Sequence, residues 1–197
     1  MAKVSAIVLA AGTSSRMGGV NKLFLDFQGK TIIQWVIENV IASYPNEVVV
    51  VGSELSMERL VGFNYRSIRL VENKDYELGM TRSIQSGVKS SNANSDGYMI
   101  CLGDQPTIEP LVYSQLIHVF ESADKKNKKS IVVPFHKMKQ GNPVIFSSYY
   151  KQEILIHEVA EGCKGILDKH YSFVKRIDVK SSSILRDVDT KGDYEAL

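Results

Sequence analysis

Between residues 9 and 22 the chain gathers hydroxyls, glycines and two cations. Leu9-Ala-Ala-Gly-Thr-Ser-Ser-Arg-Met-Gly18 is followed four residues on by Lys22. Gly12 and Gly18 let a backbone turn and approach a ligand closely. Thr13, Ser14 and Ser15 bring hydroxyls and amide donors, and Arg16 and Lys22 bring positive charge to the same stretch. That is the inventory of a cradle for a polyphosphate. It is neither a Gly-x-x-x-x-Gly-Lys-Ser/Thr loop nor a Gly-x-Gly-x-x-Gly turn. The second absence disfavours a dinucleotide-dependent oxidoreductase. Taken alone, the stretch is also compatible with a flexible connector that carries incidental basic residues.

Two acidic segments supply the complementary chemistry. In Leu102-Gly-Asp-Gln-Pro106 a carboxylate follows directly on an apolar run. Asp104 on such an edge suits Mg²⁺, which takes one or two carboxylates together with waters and phosphate oxygens. The alternative for Asp104 is a cap or an Asx turn ahead of Pro106. In Arg186-Asp-Val-Asp-Thr190, Asp187 and Asp189 alternate, so an extended segment turns both to one side. If it returns beside Asp104, a second carboxylate reaches the same ion. The alternative there is an exposed acidic turn with Asp189 or Thr190 capping a final helix.

These residues need a rigid frame, and the pattern supplies strands alternating with helices. Ser5–Ala10 is a continuous apolar run ending at glycine, as in a strand buried on both faces. Thr31–Ser43 carries Ile33, Val36, Ile37, Val40 and Ile41 at helical steps. Glu47–Gly52 and Ile68–Val71 predict further strands. A helix follows Gly79 through about Lys89, capped by Thr81 or a neighbour. Gly97–Leu102 is a central strand, Glu109–Ser122 a helix and Ser130–Pro134 a strand. Beyond them come a strand at Asn142–Phe146, helices at Ser148–Val159 and Gly162–His170, and a strand at Val174–Val179. The whole predicts one three-layer α/β/α domain over residues 1–197 with a mostly parallel sheet. Asp124-Lys-Lys-Asn-Lys-Lys129 is expected to be a solvated turn. No internal repeat and no linker rich in Pro, Gly or Ser interrupts the pattern.

Composition narrows the partners. The formal net charge is +2 across 197 residues, too small a field for a nucleic-acid binder. Anionic ligands must therefore be held locally. Cys101 and Cys163 form no Cys-x-x-Cys pair, and His118, His136, His157 and His170 show no metal-ligand spacing. No apolar run approaches a membrane span, and the N-terminal segment lacks the pattern of a signal peptide. A cytoplasmic protein with no membrane partner is expected.

Taken in order, the motifs resemble those of the MobA-like nucleotidyltransferase family, most closely its molybdenum cofactor cytidylyltransferase branch. The matching pieces are Leu9-Ala-Ala-Gly-x-Ser-Ser-Arg-Met-Gly with Lys22, Gly79-Met-x-x-Ser83, Gly103-Asp-Gln-Pro106, Gly141-Asn-Pro-Val144, Gly162-Cys-Lys-Gly-Ile-Leu167 and Asp187-Val-Asp-Thr190. The resemblance implies a Rossmann-like, GT-A-like nucleotidyltransferase fold. It further implies that Leu9, Ala10, Ala11, Gly12, Thr13 and Ser14 wrap a nucleoside triphosphate, with Arg16 and Lys22 on its charge. Gly79, Ser83 and Gly103 complete the nucleotide site, Ser83 facing base or ribose. Asp104 and Asp189 would hold Mg²⁺, and Arg16, Lys22 and Asp104 would be the catalytic set. Gln105, Pro106, Gly141, Asn142 and Pro143 would border the acceptor. In the family's reaction the terminal phosphate of molybdopterin, as molybdenum cofactor, attacks the α-phosphate of CTP and releases pyrophosphate. The recipient of the product would be a molybdenum hydroxylase such as a xanthine dehydrogenase.

Three points of the match are particular to this chain. The interval from Arg16 to Lys22 is one residue longer than the usual pattern, through Gly18-Gly-Val-Asn21; Lys22 is assigned as the family lysine because Leu23-Phe-Leu25 follows it. Asn142 stands where the family often has His, so a titrating role there is dropped. The guanylyl branch resembles Leu-Ala-Gly-Gly where this chain has Leu9-Ala-Ala-Gly12, and the Ala11 methyl is expected to favour a pyrimidine donor. The alternatives are a GTP-using guanylyltransferase, transfer to another phosphorylated acceptor such as a sugar phosphate or phosphoalcohol, and a non-catalytic nucleotide-binding regulator.

Overall fold

The computed structural model describes residues 2–12 and 20–197. The first apolar run becomes β1 (Val4–Ala10), and its residues alternate between two cores as a pleated strand requires. Val4, Ala6, Val8 and Ala10 point to one side, where they meet Ile33, Val36, Ile37 and Val40 of α1 (Ile32–Ile41) and Leu116 and Phe120 of α4 (Pro110–Lys126). Ile7 points to the other side, against Ile84 and Val88 of α3 (Met80–Ser90). On that face lie also Ile154 of α5 (Lys151–Ile156) and Ile166 and Leu167 of α6 (Lys164–Lys169).

Among the described residues one eight-stranded sheet carries the order β10-β7-β9-β6-β1-β4-β5, with β8 paired to β7. Its other strands are β4 (Glu47–Gly52), β5 (Ile68–Glu72), β6 (Gly97–Leu102), β7 (Ile131–His136), β8 (Lys139–Gln140), β9 (Val144–Ser147) and β10 (Val174–Asp178). A separate antiparallel pair, β2 (Asp26–Phe27) and β3 (Lys30–Thr31), precedes α1. The expected three-layer α/β/α arrangement with a mostly parallel sheet is what the structure has. The exceptions to parallel pairing are β9, antiparallel to both β6 and β7, and the short β8.

The strand order matters for function. From β1 the chain passes through α1 to β4 on one flank; from β5 it returns through α3 to β6 on the other. Helices depart on opposite faces at β1 and β5, so a crevice opens beyond the carboxyl ends of β1 and β6, the usual ligand position of such sheets. Register sets Leu9 beside Leu102. The Gly103 amide then donates to the Leu9 carbonyl at 3.0 Å, which fixes Asp104 at that edge.

Several expectations need correction. The helix expected at Ser148–Val159 is a 3-10 turn (Ser148–Tyr150) followed by α5, which ends at Ile156. The N-cap of α3 is Gly79, whose φ of 104° suits glycine, not Thr81. Thr81 instead donates its hydroxyl to the Val159 carbonyl and accepts from the Gly162 amide at 3.0 Å. α4 runs through to Lys126, so the charge run is half helical, and Asp124 is 3% exposed with Lys128 donating to it. A helix that the sequence pattern did not predict, α2 (Glu54–Gly62), lies between β4 and β5. No helix among the described residues is long and apolar enough to cross a membrane.

Candidate active site

At the carboxyl edge a cleft of about 470 Å³ is lined by Leu9, Ala11 and Gly12 after β1 and by Leu102, Gly103 and Asp104 after β6. Tyr76, Glu77, Gly79, Met80 and Ser83 form another wall, and Lys22, Leu23, Asp187 and Asp189 close the remainder. Thr13, Ser14 and Arg16 lie outside the described residues, together with the rest of 13–19.

Lys22 opens a short 3-10 turn, Lys22–Phe24, that is pinned by its buried neighbours Leu23 and Phe24. The Asn21 side chain caps it, accepting from the Leu23 amide at 3.1 Å. The longer interval before Lys22 therefore does not keep the side chain from the edge. Its Nζ donates to Asp104 Oδ2 at 2.6 Å and to Asp189 Oδ1 at 2.7 Å. Burial opposes the Lys22 charge, but the attraction and hydrogen bond of Asp104, then those of Asp189, outweigh it and raise the Lys22 pKa. For Asp104, burial pushes the carboxyl above its ordinary value; Lys22 pulls against this and the Asp187 charge adds to it.

Asp187 and Asp189 reach the cleft because the segment between them is sewn to Asp104. The Val188 amide donates to the Asp104 carbonyl at 3.1 Å, and Val188 itself is buried. Its two acidic neighbours therefore face outward, as alternation predicts. Thr190 caps α7 (Lys191–Glu195) in a capping box with Asp193, and Asp193 Oδ2 also accepts from the Asp189 amide at 3.2 Å. Tyr194 Oη donates to the Asp26 carbonyl at 2.5 Å and ties α7 to β2. Thr190→Ala is accordingly expected to lower stability by about 1 kcal/mol, the usual value of a lost cap. Urea denaturation checks the loss.

Asp104 does not cap α4, whose N-cap is Glu109. Its Oδ1 is buried and receives no hydrogen bond among the described residues. Asp104 Oδ2 and Asp189 Oδ1 converge on one point, where the Lys22 ammonium lies. Carboxylate oxygens in this arrangement fit a hard divalent cation. Among the described residues no group of three or more His, Cys, Asp or Glu side chains forms a metal cage. A cation on these oxygens would draw its remaining ligands from water and substrate, as Mg²⁺ prefers.

Other predicted residues fall into distinct places. Ser83 lines the cleft, and its Oγ accepts from Asn73 Nδ2 at 3.0 Å, which leaves the Ser83 O–H as a donor. Ala11 is on the cleft wall at 4% exposure, whereas Ala10 points into the core against α1. Gln105 is 2% exposed, and its Nε2 donates to the Ile184 carbonyl at 3.4 Å. Pro106, Gly141 and Pro143 are buried, while Asn142 keeps partial access. The Asn142 amide donates to that same Ile184 carbonyl at 3.0 Å. None of those five is among the residues that line the cleft. Tyr76, Glu77 and Met80 are wall residues that sequence reasoning did not select. Tyr76 and Glu77 come four and five residues after β5 ends at Glu72, and Met80 opens α3, so no local pattern marked them as wall residues.

Neither thiol is a candidate nucleophile. Cys101 and Cys163 are buried, and burial alone pushes the Cys101 thiol well up and the Cys163 thiol to about 12.

The chain is similar to several known proteins. A family model for the MobA-like NTP transferase domain matches residues 6–174. The molybdenum cofactor cytidylyltransferase of Escherichia coli is 27% identical over 199 residues, covering 98% of this chain and 95% of that protein. A probable molybdenum cofactor guanylyltransferase of Natranaerobius thermophilus is 32% identical over 165 residues, covering 79% and 73%. Among solved structures, a Mycobacterium tuberculosis protein in complex with manganese superposes with a TM-score of 0.80 at 21% identity, covering 99% of this chain and 97% of that one.

Proposed function

The chain belongs to the MobA-like NTP transferase family, and from that premise we propose that it transfers a cytidylyl group from CTP to the terminal phosphate of molybdenum cofactor. An oxygen of the acceptor phosphate bonds to the α-phosphorus, the bond to the β-phosphate oxygen breaks, and pyrophosphate leaves. The observation that carries this reading is the meeting of Asp104, Asp189 and Lys22 within 2.7 Å at the carboxyl edge of β1 and β6.

The charges explain why a cation belongs in this reaction. The charged groups of the described wall are Lys22, Glu77, Asp104, Asp187 and Asp189, one positive and four negative. A triphosphate entering such a cleft is repelled unless positive charge accompanies it. Asp104 and Asp189 would hold Mg²⁺, which when bound neutralises charge on the phosphate oxygens. Lys22 and Arg16 would add the remaining positive charge, with the backbone from Ala10 to Ser14 wrapped round the phosphates. Ser83 would donate to the base or ribose against the Gly79 turn. Such transfer needs alignment and charge neutralisation rather than a protein nucleophile, and neither buried thiol is among the residues that line the cleft.

On the acceptor side, Gln105, Pro106, Gly141 and Pro143 act in this reading by shaping the two loops that meet at the Ile184 carbonyl. Asn142 keeps a polar side chain within reach of solvent. Delivery of the product to a molybdenum hydroxylase is part of the same proposal.

GTP is the competing donor, favoured by the Natranaerobius relative. The Ala11 methyl on the cleft wall supports the smaller base. A thermal-shift panel of CTP, GTP, ATP and UTP, each with and without Mg²⁺, ranks the donors, since a ligand at about 100 times its Kd stabilises the native state by about 2.7 kcal/mol. The largest shift is expected with CTP and Mg²⁺. A larger shift with GTP would reverse the donor assignment. Pyrophosphate release that appears with CTP only when molybdenum cofactor is added then tests the acceptor; release with a sugar phosphate instead would replace it.

A further inference from the structure

Lys22 does more at this edge than carry positive charge to a phosphate. Its Nζ bridges the two oxygens, Asp104 Oδ2 and Asp189 Oδ1, on which a divalent cation would sit. The bridge is a built contact: the Lys22 side chain is 12% exposed, and the turn that bears it is anchored by buried Leu23 and Phe24. A divalent ion bridging these same two oxygens would need the position that the ammonium now holds, so the two compete for it.

We propose that Lys22 is an exchangeable occupant of the cation site, so that nucleotide admits the divalent ion by drawing the ammonium onto its phosphates. This rests on the nucleotidyl-transfer reading and adds an order to it. The triphosphate gives Lys22 a second anionic partner at the same edge. Once the ammonium turns to it, Asp104 and Asp189 lose the charge of Lys22 and take up the ion, whose charge the phosphates also share. Nucleotide and ion thus bind with positive coupling, and linkage makes that coupling reciprocal. Lys22 thereby acts as a positioning residue in one arrangement and as a phosphate ligand in the other.

The test reads ion binding directly, apart from turnover. Mn²⁺ binding to wild type and to Lys22→Met is followed by electron paramagnetic resonance, with and without CTP carrying a methylene bridge between its α- and β-phosphates. Without nucleotide, Lys22→Met is expected to bind Mn²⁺ about tenfold or more tightly than wild type, within the usual range of couplings between sites. Adding Asp189→Asn to that variant should remove the gain, which places it on these oxygens. Mn²⁺ should also raise the melting temperature of Lys22→Met more than that of wild type, provided that both melt cooperatively. Unchanged or weaker Mn²⁺ binding in Lys22→Met overturns the exchange, as does a gain that survives Asp189→Asn. Should Lys22→Met not fold, Lys22→Gln takes its place, and the same two results overturn the exchange. Failure of the nucleotide analogue to change wild-type Mn²⁺ affinity, with the Lys22→Met gain intact, counts against the transferase reading and against the nucleotide-driven half of the exchange, while competition between ammonium and ion stands.

Discussion

Asp104→Asn is expected to lower the rate of CTP- and Mg²⁺-dependent pyrophosphate release by about 10³-fold or more while the protein keeps a cooperative melt. Asparagine has nearly the same shape, so the turn after β6 and the Gly103 amide bond to Leu9 need not move. What disappears is one of the two carboxylate charges that meet at Lys22, and with it the ion pair across the shorter of the two Lys22 contacts. Removing one preorganised electrostatic partner of a developing charge typically costs about 10²–10³ in rate, and on the proposed reading loss of a metal ligand adds to that. Steady-state release of pyrophosphate is the primary measurement, with Mn²⁺ binding alongside. Wild-type turnover in Asp104→Asn would refute the transferase site. Loss of turnover together with loss of the fold would not support it, and for this reason the melt is recorded on the same sample. A regulator that only binds nucleotide shows no pyrophosphate release to lose.

The second large effect is structural. A Cβ at Gly103 would lie 2.4 Å from the Leu9 carbonyl oxygen and 3.0 Å from Ile33 Cδ1. The first obstacle is backbone within the central strand pair, so no side-chain rotation relieves it. Gly103→Ala must part the ends of β1 and β6 or break the 3.0 Å bond between them. The expected cost is about 1–3 kcal/mol, the usual range for overpacking, read as a lower urea midpoint. Activity should fall by about 10²-fold as well, since displacement of a reacting group by about 1 Å has that effect. The pair of variants separates two roles of one loop: Asp104→Asn removes chemistry and spares stability, whereas Gly103→Ala removes both. A wild-type urea midpoint for Gly103→Ala would show that the two strand ends can part at no cost.

What could be read from the sequence follows the physics of burial. β1, β4 and β6 are buried on both faces, and such strands announce themselves as unbroken apolar runs. α1 buries Ile33, Val36, Ile37 and Val40 on a single stripe, and it was legible for that reason. α2 was not, because only Ser56 and Leu60 of its nine residues are buried; a helix resting so lightly on the sheet leaves no periodic signal. Nor does any residue in Val144–Ser147 declare that β9 runs antiparallel to its neighbours. That direction is set by the short link through β8 after β7.

The site was legible to a similar depth. Strand-end position marked Asp104, and alternation marked Asp187 and Asp189, because both rules depend on a few residues in a row. The bridging by Lys22 depends on residues 82 and 167 positions apart, and local pattern carries no such information. Burial of Gln105 beneath the Ile184 carbonyl was hidden for the same reason. Tyr76 and Glu77 belong to a loop whose wall position appears only once β5 is placed at the sheet edge.

Those separations also set a timetable. During synthesis a chain emerges from its amino end and folds progressively, and contacts between distant residues wait for the longest loop to close. Lys22 meets Asp104 as soon as β6 docks beside β1, but the second carboxylate is tied down only when Val188 bonds to Asp104 and α7 bonds to β2. A chain with most of its sheet in place but residues 186–190 still undocked thus presents Lys22 and Asp104 without Asp189, and on the proposed reading its affinity for a divalent ion waits for that later docking.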